Sequence, residues 1–260
     1  MREYPPNLFK RRLADRTPQL GFWLQLNSLA ATEIAAGGGF DWILVDMEHG
    51  AIGFETIERH LLAARHGGDA EFFVRLPSVD PILVKRLLDC GVRSLLFPFV
   101  QTIEEARLAV AATRYPPDGI RGVAGNHRAN RFSRDTGYYA RAHEDICVVI
   151  QIESPKAVAA IPEFGTIEGL DAMFIGPNDL SANMGLIGQQ RHPDAQAKIA
   201  EALEMIHASG KAAGILDFNT DNAAAYLRQG FDFAAIGSDS TSLVRSLAPI
   251  LQAVRDGTRA

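Results

Sequence analysis

Eight short apolar runs separated by helical patterns constrain this chain more than any other feature. They are GFWLQL (21–26), WILVDM (42–47), EFFVRL (71–76), SLLFPFV (94–100), ICVVIQIE (146–153), AMFIG (172–176), KAAGIL (211–216) and DFAAIG (232–237). Each is nearly continuous in hydrophobicity, as strands covered on both faces are. The segments between them read as helices. SLAATEIAAGGG and ETIERHLLAARHGG run into glycines, a common helix stop. Asp80 and Pro81 open the next helix as N-cap and first-turn residue. Thr102 and Glu105 have capping-box spacing, and that helix stops at Pro116. DAQAKIAEALEMIHASG, NTDNAAAYLRQG and STSLVRSLAPILQAVRDG complete the set. Eight strand–helix units in order predict an α/β fold, a parallel (β/α)8 TIM barrel, over an open doubly wound sheet. A short helix over 6–15 is expected to cap the barrel bottom. No low-complexity tract or linker interrupts the pattern, so 1–260 reads as one barrel domain. With 47% hydrophobic residues it has enough apolar material for one core.

A formal net charge of −5 argues against nucleic-acid binding, which needs a basic surface. The stretch MREYPPNLFKRRLADRT has no apolar core, so no signal peptide is expected. No apolar run is long enough to cross a membrane. Cys90 and Cys147 stand in apolar surroundings without metal-type spacing and read as buried, reduced thiols. These features together predict a cytoplasmic protein. One connection is long, Gly-rich and basic: PPDGIRGVAGNHRANRFSRDTG, carrying Arg121, Arg128, Arg131 and Arg134. A loop of this length is either functional or a solvated or subunit-contacting segment, and both readings stand for 118–136.

In an α/β barrel, chemistry collects at the C-terminal ends of the strands. Strand 2 ends VDMEHG and offers Asp46, Glu48 and His49. Strand 3 ends VRLP and offers Arg75. Strand 5 ends QIES and offers Gln151 and Glu153. Strand 6 ends GPNDLS and offers Asp179, and Gly176 and Pro177, which open the same turn, are expected to contact whatever binds there. Each has a plainer reading: Asp179 as a helix N-cap, Arg75 as half of a structural ion pair, His49 as a core histidine. Their joint placement on one rim favours a site.

The residue types also fit one another. Glu153 and Asp179 come from adjacent strands with no lysine to neutralise them, so their repulsion calls for a cation between them. Oxygen-only ligation with few protein groups suits Mg2+ or Mn2+ and leaves positions for water and substrate. Arg75 then offers positive charge to an anionic substrate. His49 is a candidate base, with Asp46 as its orienter. That set suits enolate chemistry on a 2-oxo acid. A Schiff-base route would need a lysine at the mouth. The chain has five lysines: Lys10, Lys85, Lys156, Lys198 and Lys211. None is placed for it.

FDWILVDMEHG, VRLPSVDP, LLDCGVRSLLFPFVQTIEEA, TRYPPDGIRGV, VVIQIES and FIGPNDLSANMG resemble the HpcH/HpaI aldolase family, and the similarity runs over nearly the whole chain. The resemblance implies a barrel of the phosphoenolpyruvate/pyruvate type. It implies a metal-dependent class II aldolase that reversibly cleaves 4-hydroxy-2-oxo acids to pyruvate, or a related 2-oxo acid such as hydroxypyruvate, and an aldehyde. It admits Mg2+, Mn2+ or Co2+. It makes Glu153 and Asp179 the metal ligands and His49 with Asp46 the base dyad. Arg75 becomes the pyruvate-binding arginine, and Gln151 a residue beside metal and substrate. Asp89, in LLDCG, becomes an acid lent to a neighbouring subunit's site. It further implies a homo-hexamer, a trimer of dimers that exchange the C-terminal helix. The apolar stripe Val244, Leu247, Ile250, Leu251 and Val254 suits a helix that covers a barrel, its own or a partner's. Phe218, after strand 7, is expected to face the aldehyde half of the substrate. Two other readings remain. One is a lyase on CoA thioesters of the citrate lyase beta type. The other is a metal-free barrel binding a phosphorylated metabolite at IGSDSTSL, unless Ser238 or Asp239 is simply a helix cap.

Overall fold

The computed structural model describes residues 6–258; the first five residues of the stretch read above for a leader lie outside the described residues. Eight parallel strands close into a barrel in sequence order. They are β1 (Gln19–Leu24), β2 (Trp42–Asp46), β3 (Glu71–Arg75), β4 (Ser94–Phe97), β5 (Cys147–Ile152), β6 (Ala172–Ile175), β7 (Ala212–Leu216) and β8 (Phe233–Ser238). The closed barrel, rather than an open sheet, follows from β8 pairing back onto β1. Every expected strand forms, with ends moved by a residue or a few. β4 stops at Phe97 because Pro98 has no N–H to give the ladder.

The helices are α1 (Leu8–Ala14), α2 (Leu29–Ala36), α3 (Phe54–Gly67), α4 (Pro81–Cys90), α5 (Ile103–Thr113), α6 (Tyr138–Asp145), α7 (Pro155–Gly165), α8 (Pro177–Asn183), α9 (Pro193–Ala208), α10 (Thr220–Gln229) and α11 (Asp239–Gly257). Asp80 caps α4 through the Ile82 N–H, and Thr102 and Glu105 close a capping box on α5. Ser154 caps α7, with Pro155 in its first turn. Two helices escaped the sequence reading. The end of the basic loop winds into α6, and PNDLSAN forms α8, so Asp179 lies inside a first turn and Gly176 is the N-cap.

Two apolar layers hold the barrel. Outside the sheet, residues such as Val74, Leu95, Val148 and Ile175 pack against helix faces. Inside it, Trp23, Trp42, Leu44, Phe73, Val149, Phe174 and Phe233 fill the barrel. At its lower end α1 inserts Phe9, edge-on to Phe73 at 4.7 Å and Phe233 at 5.2 Å, as expected of a bottom cap. Lys10–Asp171 and Arg12–Asp41 ion pairs pin that helix to the rim. Cys90 and Cys147 are both free thiols. No described helix is long and apolar enough to cross a membrane.

The basic loop folds against the outer and lower wall. Arg121 is fully buried and donates to Asp89 Oδ1 at 2.7 Å, and Arg128 pairs with Glu58. Beside it lies a cavity of about 620 Å3 lined by Arg93, Arg131, Arg134, Tyr138 and Arg141. Arg93 and Ile146, also in its wall, immediately precede β4 and β5, so this cavity sits at the end opposite the C-terminal mouth.

Candidate active site

Strand periodicity delivers the site residues. Along β5, Cys147 and Val149 point into the barrel. Gln151 and Glu153 continue that alternation to the mouth. On β2 and β3 the inward residues Trp42, Leu44 and Phe73 lead to Asp46 and Arg75, which stand opposite each other in register.

The mouth holds a cavity of about 130 Å3. His49, Arg75, Gln151, Glu153, Gly176, Asp179 and Phe218, all singled out from sequence, line it. Trp23, Gln25, Asn178 and Leu216 line it too and were not singled out. Three expected residues are not in its wall. Asp46 lies beneath it, fully buried. Pro177 is buried in the first turn of α8. Asp89 belongs to the outer wall, between Arg121 and His127.

Glu153 is 3% exposed. Its Oε2 accepts from the Phe99 N–H at 2.8 Å and its Oε1 from Gln151 Nε2 at 2.9 Å. Burial pushes its carboxyl up to about 7; the Phe99 N–H opposes this, and the charges of Asp179 and Glu48 add to it. Asn183 Nδ2 donates to the main-chain oxygens of both Glu153 (3.0 Å) and Asp179 (2.9 Å), tying the two carboxylate-bearing segments together. Gly176 makes the approach possible: a Cβ there would lie 2.5 Å from Glu153 Oε1.

Arg75 meets Asp46 in a two-pronged pair, Nε to Oδ1 at 2.9 Å and Nη2 to Oδ2 at 2.6 Å. Trp23 Nε1 also donates to Asp46 Oδ2 at 3.1 Å. Burial alone would raise the Asp46 carboxyl, but these bonds and the Arg75 charge outweigh it and hold it below the ordinary value. Arg75 Nη1 stands 2.8 Å from Glu48 Oε2. Burial raises the Glu48 carboxyl despite Arg75. Arg75 is thus half of a buried ion pair and also part of the cavity wall.

His49 is no core histidine: its side chain is 62% exposed, with Nε2 3.9 Å from Glu48 Oε1. Asp46 does not reach its ring. Asp46 Oδ1 instead accepts from the main-chain N–H groups of Glu48 (3.0 Å) and His49 (3.3 Å). Fixed by Arg75 and Trp23, Asp46 thus holds the turn that carries His49 through its main chain rather than through the imidazole. Glu48 was in view in VDMEHG but given no role. The signal was its place two residues beyond the inward-facing Asp46.

The donor set fits a hard divalent cation. Glu153 and Asp179 offer carboxylate oxygens, and Gln151 Oε1 is buried without a protein partner. Among the described residues no group of three or more His, Cys, Asp or Glu side chains could hold a metal. A two-carboxylate oxygen site leaves most positions to water and substrate, as Mg2+ sites do. No lysine lines the cavity. At IGSDSTSL, Ser238 caps α11, and the Asp239 carboxylate accepts from the Gln25, Leu26 and Ser240 N–H groups. A carboxylate thus occupies donors that a phosphate would need.

A sequence model of the family described as HpcH/HpaI aldolase/citrate lyase matches residues 19–246. A 4-hydroxy-2-oxo-heptane-1,7-dioate aldolase of Escherichia coli is 44% identical over 255 residues, 98% of this chain and 96% of that protein. A 5-keto-4-deoxy-D-glucarate aldolase of Escherichia coli O9:H4 (strain HS) is 42% identical over 234 residues, 90% and 91% of the two chains. The crystal structure of an HpcH/HpaI aldolase/citrate lyase family protein from Burkholderia cenocepacia J2315 superposes with a TM-score of 0.93 at 37% identity, covering 96% of this chain and 99% of the other. This chain belongs to the HpcH/HpaI aldolase/citrate lyase family and is an aldolase, a carbon–carbon lyase.

Proposed function

We propose that this aldolase reversibly cleaves 4-hydroxy-2-oxo acids to an aldehyde and pyruvate, or a related 2-oxo acid such as hydroxypyruvate, using a divalent metal held by Glu153 and Asp179. The observation that carries this reading is the convergence of both carboxylates, Arg75 and His49 on one lysine-free cavity. Mg2+, Mn2+ or Co2+ there supplies a Lewis acid for the keto oxygen. Arg75, held flat by Asp46, presents its remaining donors to the 2-oxo acid and offsets charge that develops on the keto oxygen. His49 takes the proton of the 4-hydroxyl as the C3–C4 bond breaks and the aldehyde leaves. A proton then returns to C3 to give the methyl group of pyruvate. The exposure of His49 lets it exchange that proton with solvent. Gln151 steadies Glu153, Gly176 leaves room for it, and Pro177 starts the helix that carries Asp179. Phe218 and Leu216 give the aldehyde half an apolar wall.

The working assembly in this reading is a homo-hexamer, a trimer of dimers, in the cytoplasm. Its support is α11, whose apolar stripe is left uncovered by its own barrel: Val244 is 69% exposed, Leu247 57% and Ile250 62%. Exchange of that helix would bury the stripe on a partner. Asp89, remote from its own cavity, is the acid proposed to serve a neighbouring one. The CoA-thioester reading fares worse, because the basic loop and its cavity lie at the far end from the mouth. The test is pyruvate release from a 4-hydroxy-2-oxo acid before and after chelation. Activity should vanish with chelator and return with Mg2+, Mn2+ or Co2+. Full activity in chelator, or covalent trapping of pyruvate by borohydride, would overturn the metal route.

A further inference from the structure

We infer that Phe99 is a positioning residue whose left-handed backbone, rather than its ring, assembles the Glu153 side of the metal site. The inference rests on the proposed ligand role of Glu153. Phe99 has φ of 49°, a region that L-residues other than Asn and Asp avoid. Such a conformation persists only where surrounding structure enforces it, and it concentrates at functional sites. Burial of the ring is not what enforces it, because Phe99 is 45% exposed. What the conformation delivers is the main-chain N–H, aimed at Glu153 Oε2 at 2.8 Å.

The turn is fastened on both sides of that contact. Val100, the next residue, is buried in the core. Gln101 N donates to Glu105 Oε2 at 2.7 Å, locking the turn to the start of α5. Gln101 Oε1 accepts from Ser154 Oγ at 3.2 Å, locking it to the residue after Glu153. Glu153 therefore has one oxygen held by β5 itself, through Gln151, and the other by the β4–α5 turn. With both oxygens fixed, the carboxylate keeps one orientation, and the lone pairs not facing Phe99 and Gln151 are directed by the scaffold. Groups that orient ligands in this way typically contribute roughly 10–100-fold to metal affinity.

Two substitutions separate backbone from ring. Phe99→Gly keeps the N–H and adopts positive φ freely, while removing the ring. Phe99→Val keeps an apolar side chain, but a β-branched residue resists positive φ and pulls the N–H away. The measurement is the Mn2+ dissociation constant by titration calorimetry, with thermal melts of the chelated proteins alongside. The expected result is a glycine variant within about threefold of the parent and a valine variant weaker by roughly 10–100-fold, with the glycine variant's melting temperature at or above the valine variant's. Equal Mn2+ affinity of parent and Phe99→Val overturns the inference alone, as does a glycine variant weakened as much as the valine variant. A parent chain that binds no Mn2+ overturns the ligand role of Glu153 and this inference with it.

Discussion

Gly176→Ala tests the geometry of the site with a single added carbon. The backbone at Gly176 has φ −97° and ψ 94°, which alanine adopts without strain, so any cost comes from contact. The new Cβ would lie 2.5 Å from Glu153 Oε1, 2.8 Å from its Cγ and 3.1 Å from its Cδ. Ordinary carbon contacts begin near 3.5 Å, so the carboxylate must retreat by about 1 Å. Such a shift stretches the Phe99 and Gln151 hydrogen bonds, now 2.8 and 2.9 Å, past useful length. Overpacking of this kind costs about 1–3 kcal/mol, a fall of roughly 2–10 °C in melting temperature for a chain of this size. Metal affinity should drop by roughly 10–100-fold as the ligand loses its orientation. The assays are thermal melting in chelator, calorimetric Mn2+ titration, and a double-mutant cycle with Glu153→Ala. Because the collision is with the glutamate side chain, Gly176→Ala should cost almost nothing in the Glu153→Ala background. An equal cost in both backgrounds, or unchanged Mn2+ affinity, would refute the reasoning.

Three further outcomes follow from the same contacts. Glu153, raised to about 7 from 4.5, binds its proton more tightly folded than unfolded. Its stabilising contribution is therefore complete below about pH 4.5 and is lost as pH rises through 7. In chelator, the parent should lose about 3 kcal/mol relative to Glu153→Gln between pH 4.5 and 8, and parallel melting curves across that range would contradict the assignment. Arg75→Ala leaves Asp46 charged and fully buried without its partner, so denaturant unfolding should show a loss of about 3–5 kcal/mol together with loss of turnover; a loss below about 1 kcal/mol would mean that the pair is not holding the turn. Leu247→Asp places a charge in the exposed stripe of α11, forfeiting about 1.5–3 kcal/mol per side chain that a partner would bury. Sedimentation should then show a smaller species than the parent, and a parent that already runs as a 28.3 kDa monomer would remove the exchanged-helix reading.

The barrel was legible because each of its strands is apolar on both faces and each intervening segment carries its own stop or cap. Asp80, Thr102 and Ser154 act through side-chain bonds to the next turn, and such bonds depend on local spacing alone. α6 and α8 were not legible for the opposite reason. α6 buries only Ala142, so YYARAHED has little apolar pattern to show. α8 is seven residues long, follows a glycine and opens on a proline, residues that punctuate loops as often as they start helices. The mouth residues were found because strand ends at a barrel mouth are a place that sequence can name. Their partners were not, since pairing depends on register between strands. Register sets Asp46 opposite Arg75 and so takes it from the imidazole of His49. Phe99 and Gly176 were missed as supports of Glu153 because one acts through a dihedral and the other through the absence of a side chain.

Charge links these local facts to the chemistry. Within the mouth Asp46 and Arg75 cancel one another, so the guanidinium does not neutralise the remaining acids outright. Glu153 and Asp179 are then two carboxylates lining one small cavity, with Glu48 close by on Arg75 and His49 in the same wall. The carboxyls of Glu48 and Glu153 are both raised: burial is the larger cause in each, and the charge of Asp179 pushes each further. A protein that needed only stability would gain by replacing such acids with apolar residues of similar volume. The arrangement would become favourable with a divalent cation between them, because the charges that add to the rise at Glu153 would then attract the ion. An anionic 2-oxo acid would meet net negative charge at this mouth without the cation and a neutralised one with it, so the acids proposed to hold the metal would also make the substrate's binding depend on it.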